Sequence, residues 1–289
     1  MNGAIPTSER TDLDLQYNAR ATVPDIAPML HDYASLSAQA RATLPCMLNL
    51  AYGPHPDETL DIFPAQGNTP GPVLIYLHGG YWRLLSKDDS SFMAPTLTQA
   101  GITVVAVNYS LAPAVTLDHI VDQTRRAVAW VHHHIEQHHG DGQRLVIAGS
   151  SAGGHLAGMV LASGWQQGYG MDSAAMAGAV LLSGLYNLTP LIETHINDWM
   201  HLSLGDAQRN SPILTLPEHG PPILVSYGSN ETSEFKRQSQ DYLSAWQAKG
   251  FKGEYIDMPD TNHFDLVLHL NRLQSPLVQK LLKLLDMPS

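Results

Sequence analysis

The chain has 289 residues, 44% of them hydrophobic and 15% charged, with a formal net charge of −11. That length suits one large domain with a full core, and the low charge with ample apolar content argues against a disordered chain. With 16 Lys and Arg against 27 Asp and Glu, and no basic block, neither nucleic acid nor an anionic membrane surface is expected as a partner.

Cys46 is the single cysteine, so no intrachain disulfide can form. In Leu44-Pro45-Cys46-Met47 it reads as a small buried or half-buried hydrophobe. Met1 to Asp12 is polar and does not read as a secretory signal. No apolar run of about 18 residues marks a membrane span, and a cytoplasmic location is the simplest expectation.

Leu13 to Arg20 and Ala27 to Ala42 read as helices broken by Pro24 and Pro28, which suggests an N-terminal helical arm over residues 1–50. From about residue 59, strands and helices alternate. Thr59 to Phe63 is a short strand, and Pro72 to His78 is an apolar run suited to a buried parallel strand. Ser91 to Ala100 is helical and stops at Gly101, and Ile102 to Val107 is the next buried strand.

Leu117 to His139 is a long helix on the spacing of its apolar residues, with Gly140 as its stop. Arg144 to Ala148 is a strand that runs into Gly149-Ser150-Ser151-Ala152-Gly153-Gly154 and a helix from His155 to about Ser163. Ala177 to Ser183 is a further strand. Residues 188–220 break the alternation and read as a small cap excursion. Pro222 to Tyr227 and Glu254 to Met258 are strands, Ser233 to Lys249 is a helix, and a terminal helix runs from Phe264 to about Leu285. Such alternation predicts a mostly parallel central sheet with helices on both faces, and ligands then bind at the carboxyl ends of the strands.

Gly149-Ser150-Ser151-Ala152-Gly153 fits the G-x-S-x-G pattern between a strand and a helix, the context that pattern requires. Its glycine frame selects Ser151 as a nucleophile over Ser150. A serine hydroxyl needs a base to take its proton, and in this arrangement the acid and then the histidine follow the serine along the chain. Glu231 stands after the strand ending near Tyr227, and His263 after the strand ending near Met258. Glu234, Asp257 and Asp260 compete with Glu231 for the acid's place. His78-Gly79-Gly80-Tyr81-Trp82 follows a buried strand, and the N–H groups of Gly79 and Gly80, with that of Ala152, are candidates to hold a developing oxyanion.

These segments, with Glu231-Thr232-Ser233-Glu234-Phe235-Lys236-Arg237-Gln238-Ser239, His263-Phe264-Asp265-Leu266 and Asn108-Tyr109-Ser110-Leu111-Ala112-Pro113, resemble the kynurenine formamidase (arylformamidase) group within the hormone-sensitive-lipase-like esterases. Tyr17-Asn18-Ala19-Arg20 with Val23-Pro24-Asp25 resembles the N-terminal arm of its bacterial members. The resemblance runs from about residue 13 to 270. It implies an α/β-hydrolase fold and hydrolysis of formyl or acetyl from an aryl amide or ester through an acyl-enzyme on Ser151. It implies Glu231 and His263 as the partners of Ser151, with no cofactor and no metal. Members usually carry aspartate where this chain has Glu231. A broad short-chain carboxylesterase is the alternative, and a small-molecule binding protein on the same fold is the remote one.

Tyr81, Trp82, Tyr186 and Trp199 fall near strand ends or in the excursion and are candidates to line an aromatic substrate pocket, with core packing the competing reading. Arg83 reads as a surface ion pair before a contact to a substrate carboxylate. His132, His133, His134, His138 and His139 read as a solvated helix face, because neither the H-E-x-x-H pattern nor a carboxylate partner accompanies them. A homodimer is compatible with the sequence, which does not set the oligomeric state.

Overall fold

The computed structural model describes residues 7–67 and 69–288. Its strands are β1 (Met47–Ala51), β2 (Thr59–Phe63), β3 (Gly71–Leu77), β4 (Thr103–Val107), β5 (Gly140–Ser150), β6 (Met176–Leu182), β7 (Ile223–Ser226) and β8 (Gly253–Tyr255). They form one sheet in the order β1-β2-β4-β3-β5-β6-β7-β8. From β4 to β8 neighbouring strands run parallel, whereas β2 pairs antiparallel with both β1 and β4.

The helices are α1 (Thr7–Gln16), α2 (Ala27–Thr43), α3 (Ala94–Gln99), α4 (Leu117–His134), α5 (Ala152–Leu161), α6 (Asn197–Met200), α7 (Leu204–Arg209), α8 (Ser233–Ala248) and α9 (Pro276–Leu284). They cover both faces of the sheet. Because successive strand side chains point to opposite faces, each central strand divides its apolar residues between two layers. Val73, Ile75 and Leu77 of β3, with Leu145 and Ile147 of β5, pack against apolar residues of α4, α5 and α8. Leu74 and Tyr76, with Val146 and Ala148, pack against α2, α3 and α9. Every residue of β3 and β4 is buried, which explains why these strands read as continuous apolar runs rather than as alternation.

Several boundaries differ from the sequence reading: α1 runs Thr7–Gln16 where a helix over Leu13 to Arg20 is expected, and β5 starts four residues before Arg144. β1 lies at the end of the segment expected to be a helical arm. It is an edge strand with no buried residue, interrupted at Asn49 (φ +58), so it carries no alternating pattern. The helix expected to reach His139 ends as α4 at His134 and tightens into a 3-10 turn over Ile135–His138. His139, at φ +61, makes the left-handed exit, and Gly140 begins β5, where a side chain would collide with Ile135. The terminal helix is two pieces, a 3-10 turn over Leu266–Asn271 and α9, because Pro276 lacks an N–H and belongs in a first turn. Ser275 caps that turn by accepting from the Val278 N–H at 3.2 Å. The last strand is shorter than expected, ending at Tyr255.

The polar stretch Met1–Asp12 lies partly outside the described residues. Among those described, no helix is long and apolar enough to cross a membrane.

Candidate active site

β5 delivers its last residue, Ser150, to a sharp turn at Ser151, whose φ of 58° and ψ of −122° are disfavoured for a residue with a Cβ. α5 begins at the next residue. The turn is held by the Ser151 N–H, which donates to the Leu182 carbonyl at 2.9 Å, and by the His155 N–H donating to the Ser151 carbonyl at 3.0 Å. α5 packs closely against the end of β3. A Cβ on Gly153 would fall inside the Leu77 carbonyl oxygen and 2.7 Å from that of His78. Ser151 is therefore pushed out of the strand line towards a cavity whose wall it forms with His263.

Glu231 sits on the loop between β7 and α8, where its N–H bonds the Gly228 carbonyl at 3.1 Å. One carboxylate oxygen, Oε2, lies 2.7 Å from His263 Nδ1. The other, Oε1, accepts from the Gly228 N–H at 2.6 Å and from Ser183 Oγ at 2.5 Å. Both Glu231 and His263 are buried. With Nδ1–H donating to the carboxylate, Nε2 is left as the basic nitrogen of the ring. The Phe235 ring packs 4.5 Å from the imidazole and fixes its plane.

None of the competing acids, Glu234, Asp257 and Asp260, bonds the imidazole among the described residues. Glu234 is held by Arg237 and by Tyr17, and hydrogen bonds from Arg237 keep its carboxyl below the usual range.

Gly79 and Gly80 lie at the end of β3 and line the cavity. A Cβ on Gly79 would stand 3.3 Å from that of Ser151 and 2.9 Å from the Ser150 carbonyl, so only glycine brings backbone this close to the Ser151 turn. Gly80, at φ +99, turns the chain back so that the Arg83 and Leu84 N–H groups both bond its carbonyl. Among the described residues the N–H groups of Gly79 and Gly80 find no protein acceptor. Ala152, the first residue of α5, has an N–H with no intrahelical partner. Its side chain is buried behind Ser151 and does not reach the cavity.

The cavity holds about 330 Å³. Tyr76, Tyr81, Phe92, Trp199 and Phe264 stand in its wall beside Arg20, Arg83, Asp89 and several aliphatic side chains, joined by Tyr17 and Tyr33 from the N-terminal segment. Sequence reasoning assigned Tyr17 and Tyr33 to an arm without seeing that they complete this wall. Long-range hydrogen bonds place them. Tyr81 Oη donates to the Tyr17 carbonyl at 2.5 Å, Tyr17 Oη donates to Glu234 at 2.7 Å, and Tyr33 Oη bonds the Phe264 carbonyl.

Two expected pocket residues are corrected. Trp82 is fully buried, and its Nε1–H donates to His155 Nδ1 at 3.2 Å, so it braces the loop from behind rather than touching substrate. Tyr186 is fully buried beneath the site, stacked on Tyr242 at 4.3 Å, and does not line the cavity. Arg83 forms no ion pair among the described residues. Its guanidinium lies 4.5 Å from the Trp199 ring at the cavity wall, a cation–π contact. The histidine cluster is held by carbonyls: His132 by Gly142, His133 by Tyr169 and His134 by Trp130. No group able to hold a metal ion occurs among the described residues.

Two other histidines make a pH-sensitive frame. Burial lowers the pKa of His78 and of His155 to about 4. His78 stacks on Tyr109 at 4.1 Å, and Tyr109 Oη donates to the His78 carbonyl at 2.6 Å. His155 Nε2 is 2.7 Å from the Asn210 carbonyl. In the unfolded chain each takes a proton near pH 6.5. Stability is therefore full above about pH 6.5 and is lost as pH falls towards 4, by an amount on the order of 3 kcal/mol for each group. Urea midpoints measured from pH 7 to pH 4 should fall through this window, and His155→Gln should remove about half of the slope.

A strand–turn–helix serine, a histidine pinned to a carboxylate from the loop after the neighbouring strand and a parallel sheet beneath them define a class: the chain is an α/β hydrolase. A family model described as the alpha/beta hydrolase fold matches residues 74–266. The chain is 38% identical over 255 residues to the kynurenine formamidase of Salmo salar, covering 86% of this chain and 84% of that one. It is 36% identical to the kynurenine formamidase of Danio rerio, with 96% of each chain covered. The chain thus belongs to the kynurenine formamidase family of α/β hydrolases. Among solved structures it resembles a candidate thioesterase from Silicibacter sp. TM1040, at TM-score 0.81 and 27% identity over 93% of this chain and 98% of that one. The hyperthermophilic esterase of Pyrobaculum calidifontis shares the fold at TM-score 0.74 and 18% identity, over 98% and 99% of the two chains.

Proposed function

We propose that this hydrolase removes a small acyl group, formyl or acetyl, from an aryl amide or ester through an acyl-enzyme on Ser151. The observation that carries the reading is the 2.7 Å contact of Glu231 with His263 in the wall of the same cavity as the strained Ser151. Glu231 orients the imidazole and stabilises the imidazolium without itself exchanging the proton. His263 Nε2 takes the Ser151 proton as Oγ attacks the acyl carbon. The N–H groups of Gly79, Gly80 and Ala152 receive the oxyanion, and one such donor contributes about 3 kcal/mol. His263 then returns the proton to the leaving nitrogen or oxygen. Water, deprotonated by the same ring, attacks the acyl carbon, and His263 gives the proton back to Ser151 as the acid departs.

The aromatic side chains of the cavity wall suit an aryl leaving group, and the modest cavity suits a short acyl chain. Kynurenine formamidase is the name of the vertebrate relatives, and a formamide of an aromatic amine is the substrate this reading favours. Part of the segment 188–220 acts as a small cap, since His195 and Trp199 face the cavity. The deciding measurement is kcat/KM for N-formylkynurenine beside p-nitrophenyl acetate and butyrate. A preference for the formamide of tenfold or more, about 1.4 kcal/mol in the transition state, is expected. Fast ester cleavage with negligible formamide turnover would make this a short-chain carboxylesterase.

A further inference from the structure

A glutamate has one more rotatable bond than an aspartate and can turn its carboxylate away from the imidazole, so a glutamate at position 231 needs a second restraint. The structure supplies one from a third strand. Ser183 stands one residue beyond β6, is fully buried, and places Oγ 2.5 Å from Glu231 Oε1. The Gly228 N–H meets the same oxygen at 2.6 Å, which leaves Oε2 for His263.

The backbone at Ser183 is at φ +48, a region that glycine occupies freely and residues with a Cβ resist. A side chain kept there against backbone preference points to a role for that side chain. Its position is rigid, because the Ser183 N–H donates to the Ser226 carbonyl at 2.8 Å, on the strand that leads to the Glu231 loop.

We propose that Ser183 is a positioning residue for the reaction. Its hydroxyl clamps Glu231 Oε1, keeps Oε2 in line with His263 Nδ1, and so holds the ring in the tautomer whose Nε2 is basic. The proposal rests on the reading of Glu231 as the acid behind His263. The hydroxyl donates its single proton to a carboxylate, a charge-assisted bond of the stronger kind.

The test compares Ser183→Ala, Ser183→Gly and Ser183→Cys with the parent enzyme, each with and without Glu231→Ala. With p-nitrophenyl acetate, Ser183→Ala should lower kcat about tenfold or more with KM changed by less than about twofold, the scale of losing a bond to a charged group. The downfield proton resonance of His263 Nδ1–H should weaken or move upfield. Ser183→Gly relieves the backbone yet should fall as far as Ser183→Ala, and Ser183→Cys, a weak donor, should recover part of the loss. In the Glu231→Ala background, Ser183→Ala should change kcat by less than about twofold, because the clamp has nothing to hold.

Parent-like kcat and an unmoved resonance in Ser183→Ala would overturn the proposal. So would an equal loss in the Glu231→Ala background, or a glycine variant as active as the parent, either of which would mark a purely structural residue. Should Ser183→Ala not fold, the glycine and cysteine variants decide by the same criteria. If Glu231→Ala itself keeps full activity, the reading of Glu231 fails, and that failure is distinct from retention of activity in Ser183→Ala alone.

Discussion

Ser151→Ala is expected to reduce kcat by about 10⁶-fold, the scale seen when a nucleophile that works as a unit with its base is removed. The residual rate should reflect only substrate binding and the backbone donors of the oxyanion site. The fold should survive. Among the described residues Ser151 makes its hydrogen bonds through its backbone, to Leu182 and His155, and alanine keeps both. The Cβ that alanine retains is the one already accommodated at φ 58°. A change in Tm of no more than about 2–4 °C, or roughly 1 kcal/mol, is the corresponding expectation. Labelling separates this from a binding defect: a reactive phosphonate should add one adduct to the parent chain and none to Ser151→Ala. Turnover by Ser151→Ala within tenfold of the parent would remove Ser151 from the mechanism.

Gly153→Ala should act on the fold rather than on chemistry. The added methyl would occupy the space of the Leu77 carbonyl oxygen and approach that of His78 to 2.7 Å. Neither can yield cheaply. Leu77 ends a strand paired on one side with Val107 of β4 and on the other with Gly149 of β5, and His78 leads into the Gly79-Gly80 loop. α5 would have to lift from the sheet, taking buried Leu156, Ala157 and Val160 with it. Overpacking against immovable backbone lies at the severe end of single substitutions, about 4 kcal/mol or more. The expected result is an aggregated product, or a Tm lowered by on the order of 10 °C. A soluble variant with a parent-like Tm would show that α5 is not pressed against β3 as described.

The chain itself carried most of the fold. Buried parallel strands are long, β-branched and apolar because both their faces are covered, so β3, β4, β5 and β6 were legible from residues alone. β1 was not, because an edge strand with no buried residue has no periodic signal. The end of α4 was misplaced for a related reason: Gly140 is there for lack of room beside Ile135, and a steric demand from a neighbour leaves no local mark. Pro276 did carry a local signal, a preference for a first helical turn, that should have divided the terminal helix.

The sequence by itself determined the strained turn at Ser151, the Gly79-Gly80 loop and the order in which Ser151, Glu231 and His263 follow the strands. Each of these is a local pattern, set by backbone strain and by the strand ends that present it. The tertiary structure alone decided what depends on contacts across the chain. It separated Glu231 from Glu234 by giving the first to His263 and the second to Arg237 and Tyr17. It moved Trp82 and Tyr186 from pocket to core, and it brought Tyr17 and Tyr33 from the N-terminal segment into the cavity wall. It set Ser183 against Glu231 across 48 residues of chain. An aromatic ring or a hydroxyl has the same local signature whether it faces substrate, solvent or core, and only the packing of distant segments tells these apart.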